Sequence, residues 1–211
     1  LKVQREIVET AQTVRSVIMS LEDIELDLSL NPIASFKLLV GTSISFAPTL
    51  LAAINYLGSF LHRLLPEQHP YDRFFASVNV LLDKVSSETV YQGLIFFELT
   101  LLREMGFGLN TQECAVTGQT ENLVWLSPKT ARSVSREAGM PYKNSLFLLP
   151  EALKQVTVCY DFDEFLKVYL TPKDIQDIAR ITGYFIERFF SDIPNLKEIL
   201  SLREHVFKKV G

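Results

Sequence analysis

Apolar residues recur every three or four positions through most of this chain, which is the period of amphipathic helices. Val90, Leu94, Phe97, Leu101 and Met105 line one face and predict a helix over residues 90–105. The period fails where Gly106 and Gly108 flank Phe107, and a glycine there can take the left-handed conformation that closes a helix. Upstream, Leu50, Leu51, Ile54, Leu57, Leu61 and Leu64 predict a helix ended by Pro66. Phe74, Val78, Leu81, Leu82 and Val85 predict the next. The short connections favour antiparallel neighbours in a bundle. Downstream, short helices are expected after Pro150 and over residues 161–168. Thr171-Pro172-Lys173-Asp174 is a strong helix start: a capping hydroxyl, a proline at the first helical position and a carboxylate that can bond back. Ile175, Ile178, Ile181, Phe185 and Phe189 follow on one face, with Ala179 and Gly183 allowing close packing. That helix is expected to end near Asp192-Ile193-Pro194, and residues 196–211 to form a last short one.

Two stretches depart from this pattern. Residues 1–48 are read as a separate N-terminal segment: Val3, Ile7, Ala11, Val14, Ile18 and Leu21 give one helical face, and Phe36, Leu38, Val40, Ile44 and Phe46 beyond Asn31-Pro32 read as possible strand. Within the main region, residues 49–211, the period is lost over 110–148. This insert is turn-rich, and Val124, Trp125, Leu126 and Phe147 are its expected apolar centre. From Ser127 to Lys143 it carries Lys129, Arg132, Arg136 and Lys143 against the single acid Glu137. The fold class is therefore mainly α, a helical bundle with a small turn-rich insert.

Composition narrows the function without choosing it. At 211 residues, 47% hydrophobic and 22% charged, the chain can build one large domain or two small ones. The net charge of -4 argues against a protein coated with cations, so a phosphate ligand would need a local patch. Cys114 and Cys159 stand too far apart in sequence to read as a disulfide framework, and they fit a reducing compartment. No signal-peptide or membrane-span pattern is present, and cytoplasm is the expected compartment. His62, His69 and His205 stand beside no nucleophile motif, and phosphate-loop and dinucleotide fingerprints are missing. The acidic group Asp161, Asp163 and Glu164 reads as a helix start. No enzymatic activity is expected.

Four segments in order, FELTLLREMGFGLN (97–110), CAVTG (114–118), LSPKTARSVSREAGMPY (126–142) and ARITGYFIERFF (179–190), resemble the bacterial recombination mediator family RecO. The likeness runs from about Leu50 to Lys209 and is closest to family members whose insert has lost its metal. It implies a helical domain with a zinc-finger-like insert. In full-length RecO proteins an oligonucleotide-binding barrel precedes that domain. Such a barrel needs about five strands, so residues 1–48 cannot supply one, and the expectation is a barrel either absent or only partly represented.

The resemblance also implies ligands and partners. Where related inserts hold zinc through two Cys pairs, only Cys114 remains here; Thr117, Ser135 and Ala138 fall where the others would stand. No His lies between Arg103 and Tyr160, so neither a metal nor any other cofactor is expected. The implied function is non-enzymatic mediation of recombinase loading and strand annealing in DNA repair (the RecF pathway). Its implied partners are single-stranded DNA, the acidic tail of the single-stranded-DNA-binding protein SSB, and RecR, in the bacterial cytoplasm and at the nucleoid. Lys129, Arg132, Arg136 and Lys143 are the candidate phosphate contacts; Arg132 and Arg136 would share a face if that piece were helical. Leu101, Arg103, Phe107 and Leu109 are the candidate pocket and basic rim for the SSB tail. The alternative, favoured by the acidic total charge, is a helical adaptor that touches no nucleic acid.

Overall fold

The computed structural model describes residues 48–64, 72–86 and 88–210. The expectations for residues 1–47, a helix, possible strands and a barrel absent or only partly represented, fall outside these residues. Eight α-helices and three short strands are described: α1 Pro48–Leu64, α2 Asp72–Lys84, α3 Val90–Glu104, β1 Leu123–Leu126, β2 Ser133–Ser135, α4 Arg136–Gly139, β3 Phe147–Leu148, α5 Glu151–Val156, α6 Phe162–Leu166, α7 Pro172–Phe189 and α8 Leu196–Phe207. The fold is mainly α with a small sheet. The described residues divide into two compact units, those up to Leu94 together with 192–209, and residues 95–191 with Val210. The division falls within α3.

In the first unit α8 packs on α1. The buried stripe of α1 is Ala53, Tyr56, Leu57 and Phe60, with Ile54 beside it. The expected Leu50 and Leu61 are only half-buried. The face is thus rotated toward the aromatics, and Tyr56 meets Phe60 edge-on at 5.1 Å. Phe74, Val78, Leu81 and Leu82 of α2 are buried as their spacing predicts. In α8, Leu196, Ile199 and Val206 are buried, and the guanidinium of Arg203 lies 4.7 Å from the ring centre of Phe207.

In the second unit α3 ends as its glycine predicts. Gly106 has φ +82°. Its N–H donates to the Arg103 carbonyl at 3.0 Å, and Phe107 N–H to the Leu102 carbonyl at 2.7 Å. This pair of bonds is the Schellman closure, which satisfies carbonyls that the helix leaves open. The capping box on α7 also forms: Thr171 Oγ1 accepts from Asp174 N–H at 3.1 Å, and Asp174 Oδ2 accepts from Thr171 N–H at 3.0 Å. The helix stops at Phe189, a little short of Asp192. Ile175, Ile178, Ile181 and Phe185 are buried, and α5 packs against α7. Phe96, Phe162 and Phe165 cluster with ring centres 5.2–6.3 Å apart. A second cluster stacks Phe107 on Phe189 at 4.2 Å, with Phe185 5.7 Å from Phe189. Inside the core, Thr182 Oγ1 donates to Glu98 Oε2 at 2.5 Å, with both residues fully buried.

The insert is more regular than its turn-rich sequence suggests. It holds a three-stranded antiparallel sheet in the order β2-β1-β3. Its buried centre is Leu123, Leu126, Ala131 and Val134 with Cys114, Ser133 and Ser135. Of the expected apolar centre only Leu126 is fully buried; Val124, Trp125 and Phe147 are half-buried. Trp125 covers α4 instead, so closely that a Cβ on Gly139 would sit 2.2 Å from its ring.

Candidate nucleic-acid interface

The β1–β2 hairpin displays the first cation. Ser127 N–H donates to the Arg132 carbonyl at 2.9 Å, and Ala131 N–H to the Ser127 carbonyl at 2.9 Å. Ala131 takes φ +56° to turn the chain back. Lys129 stands exposed at the tip. Arg132 folds onto the insert: its Nη2 donates to Glu113 Oε1 at 2.7 Å, and its Nε is buried. Ser133–Ser135 then runs as strand, so Arg132 and Arg136 do not share a helical face. At about 3.3 Å per residue they lie roughly 13 Å apart along the strand direction. Arg136 begins α4, its carbonyl accepting from Trp125 Nε1–H at 3.4 Å. Lys143 lies on the 3-10 turn Met140–Ser145. Lys129, Arg136 and Lys143 are all exposed.

The structure brings Lys129 together with residues that the sequence reading passed over. Arg188 of α7 donates from Nη1 to the Pro128 carbonyl. Between α7 and the insert lies a cavity of about 570 Å³, lined by Lys129 and Arg188, by Tyr142 and Tyr184, and by Val116 and Leu146 among others, with no carboxylate in its lining. Tyr184 is held by the edge of Phe147 at 5.1 Å, and the Arg180 guanidinium lies 5.3 Å from the Phe147 ring centre. Arg180, Tyr184 and Arg188 are four residues apart along α7 and so fall on one face. That spacing is the signal that could have found them.

The expected peptide pocket is placed otherwise. Leu101 has no exposed surface. Arg103 Nη2 donates to the carbonyls of Thr157 at 3.0 Å and Cys159 at 3.2 Å, and its guanidinium lies 4.1 Å from the ring centre of Tyr160. Burial lowers the Arg103 pKa, against the raising effect of Tyr160, Glu104 and Cys159. Phe107 stacks on Phe189, and Leu109 is half-buried. This group joins the end of α3 to the loop after α5.

Cys114, the one residue that the family resemblance marks as a former metal ligand, is buried in the insert. Its Sγ accepts from Ser135 N–H at 3.3 Å and Thr117 N–H at 3.5 Å, and lies 3.6 Å from Ser135 Oγ. Burial pushes this thiol up. Hydrogen bonds from Thr117, Ser135 and Val116 outweigh that and hold it at about 6. Among the described residues no cluster of three or more His, Cys, Asp or Glu is placed to hold a metal ion. Cys159 is raised chiefly by burial. No described helix is long and apolar enough to cross a membrane.

A mainly helical domain with a cation-bearing, finger-like β insert is what the geometry defines. The chain belongs to the recombination protein O family: residues 46–191 match the model of the Recombination protein O C terminal. It is 39% identical over 141 residues to the DNA repair protein RecO of Xanthobacter autotrophicus, covering 66% of this chain and 53% of that one. It is 38% identical over 150 residues to that of Bradyrhizobium diazoefficiens (67% and 56%). The RecO of Bartonella bacilliformis is 33% identical over 162 residues (76% and 62%). The chain thus matches between about half and two thirds of the length of these curated relatives. No solved structure matches.

Proposed function

We propose that this chain acts in DNA repair as a non-enzymatic recombination mediator that grips the backbone of single-stranded DNA with its insert. Residues 49–211 are the working domain in this reading, 110–148 its DNA-facing insert, and 1–48 a distinct N-terminal segment. One observation carries the proposal: Lys129, Arg136 and Lys143 stand exposed on a sheet-backed insert in a chain whose total charge is -4. Arg132, partly exposed beside Glu113, completes the set. Backbone contacts of this kind need charge and position and read no base. SSB and RecR are the protein partners of this reading. From the group at the end of α3, Arg103, Phe107 and Leu109 retain surface that the SSB tail can reach. The acidic total charge favours the opposite reading, an adaptor that binds only proteins.

Binding of a labelled oligothymidylate across a salt series separates the two. Each phosphate contact adds about 0.7 to the magnitude of the salt slope on a single strand. Lys129→Ala with Arg136→Ala is expected to flatten the slope by about 1.4 and to weaken all sequences alike. The reading fails if wild-type chain shows no salt-dependent binding.

A further inference from the structure

We infer that the cavity between α7 and the insert takes one unstacked base of a single strand, with Tyr142 and Tyr184 as its stacking surfaces and Lys129 and Arg188 on the flanking phosphates. This rests on the proposed single-strand binding and adds to it a base-holding subsite that phosphate contacts alone do not supply.

Charge comes first. The lining holds two cations and no carboxylate, so an anionic occupant is favoured. Arg188 is fixed by its bond to the Pro128 carbonyl, and Pro128 precedes Lys129, so both cations are held at one rim. Shape comes second. At about 570 Å³ the cavity has the size of a small-molecule pocket. A helical groove for a peptide helix would be longer and lined by apolar side chains at three- and four-residue spacing. Here two tyrosine rings stand beside a short aliphatic wall of Val116, Pro128, Val134, Ala138 and Leu146. Tyr142 is 67% exposed and Tyr184 38%, which is high for rings that line a cavity. Tyr184 is held in place by Phe147, whereas the Tyr142 side chain makes no hydrogen bond or ring contact among the described residues. A held ring and a free ring beside cations form the stacking platform and funnel by which proteins hold single strands without reading sequence. On α7, Arg188 lies one turn from Tyr184, about 6 Å along the axis, so a phosphate next to a base stacked on that ring meets a cation.

The test uses the whole chain, a labelled oligothymidylate and the same backbone built of abasic residues. Stacking is worth about 1–3 kcal/mol per base, roughly 5- to 150-fold. Tyr142→Ala and Tyr184→Ala are each expected to weaken oligothymidylate by that factor, to leave the salt slope unchanged and to leave abasic strand binding as in wild type. Tyr142→Phe and Tyr184→Phe keep the ring and are expected to bind as wild type does. Tyr142 touches no other ring, so its substitution isolates binding from folding. The inference is overturned if Tyr142→Ala binds oligothymidylate as tightly as wild type, or if wild type does not prefer it to the abasic strand, while salt-dependent binding persists. It is also overturned if the tyrosine variants lose the SSB tail peptide and keep the oligonucleotide, for the cavity is then a peptide site. If wild type binds neither strand, the proposed function falls together with it.

Discussion

Replacing Phe185 by alanine tests the packing on which the second unit depends. The ring has no exposed surface. It lies 5.7 Å from Phe189 at 13° and 6.3 Å from Phe147 at 72°, so it bridges the aromatic end of α7 and strand β3 of the insert. Withdrawing a buried Phe from the core removes about 1.5–3 kcal/mol of transfer energy. Each ring pair adds about 0.5–1.5 kcal/mol. Alanine's better helix propensity returns roughly 0.5 kcal/mol. These terms sum to about 2–5.5 kcal/mol, a range that contains the roughly 3–5 kcal/mol of measured Phe→Ala substitutions, which is the loss expected here. For a chain of this size each kcal/mol lowers the midpoint by about 2–4 °C, so a fall of roughly 6–20 °C is expected. Two compact units need not melt together. Far-UV circular dichroism should therefore be read beside the fluorescence of Trp125, the chain's single tryptophan, which lies in the same unit as Phe185. Tyr169→Ala, at a ring 85% exposed, is the control and should shift stability by no more than about 0.5 kcal/mol. A Trp125 transition that does not move in Phe185→Ala would refute the reasoning, since the insert would then be held independently of this ring.

Further outcomes are expected at the other sites. Cys114, with its thiol held near 6, should show a thiolate absorbance at neutral pH that Cys114→Ser abolishes, with Cys159 silent. Because the folded state there binds fewer protons than the unfolded one, stability should rise from about pH 6 to about 9 and fall as pH drops through 6; a flat profile matching Cys114→Ser refutes the assignment. The triple substitution Thr117→Cys, Ser135→Cys and Ala138→Cys should take up about one zinc per chain, measured by metal analysis. The 3.6 Å between Cys114 Sγ and Ser135 Oγ is close to the ~3.8 Å edge of a tetrahedron with Zn–S bonds of about 2.3 Å. Wild type should carry far less than one zinc. Thr171→Ala should destabilise by about 1 kcal/mol through loss of the capping box, read as a lowered denaturant midpoint.

Helices were legible because their signals are local. The Gly106 closure, the Thr171 box and the buried faces of α2 and α7 each rest on residues within a few positions of one another. The insert was less legible for the converse reason. Its strands are two to four residues long, too short for period two to emerge, and they pair through loops. Trp125 drew attention as a core residue, but an indole N–H needs an acceptor and here finds the Arg136 carbonyl at the edge. Among the candidate phosphate contacts, chain proximity located Lys129, Arg136 and Lys143 on one insert, and left undetected that Glu113 engages Arg132. Leu101 fell in the candidate pocket on sequence position alone, while its helical spacing with Leu94 and Phe97 already marked it as core.

The same contrast explains how an acidic chain can bind an anion. A surface charge is felt over about one Debye length, roughly 8 Å at physiological salt. What a phosphate meets is therefore set by its immediate neighbours, and the sum over the chain says little about it. Lys129 and Arg188 are far apart in sequence, so no window along the chain shows them as a basic run. Folding places both on one carboxylate-free cavity through the bond from Arg188 to the Pro128 carbonyl. Glu137 and Glu187, the acids adjacent to Arg136 and Arg188 in sequence, are exposed and absent from that lining. A net charge of -4 is then compatible with a local anion site. It also limits non-specific binding of anions elsewhere on the surface.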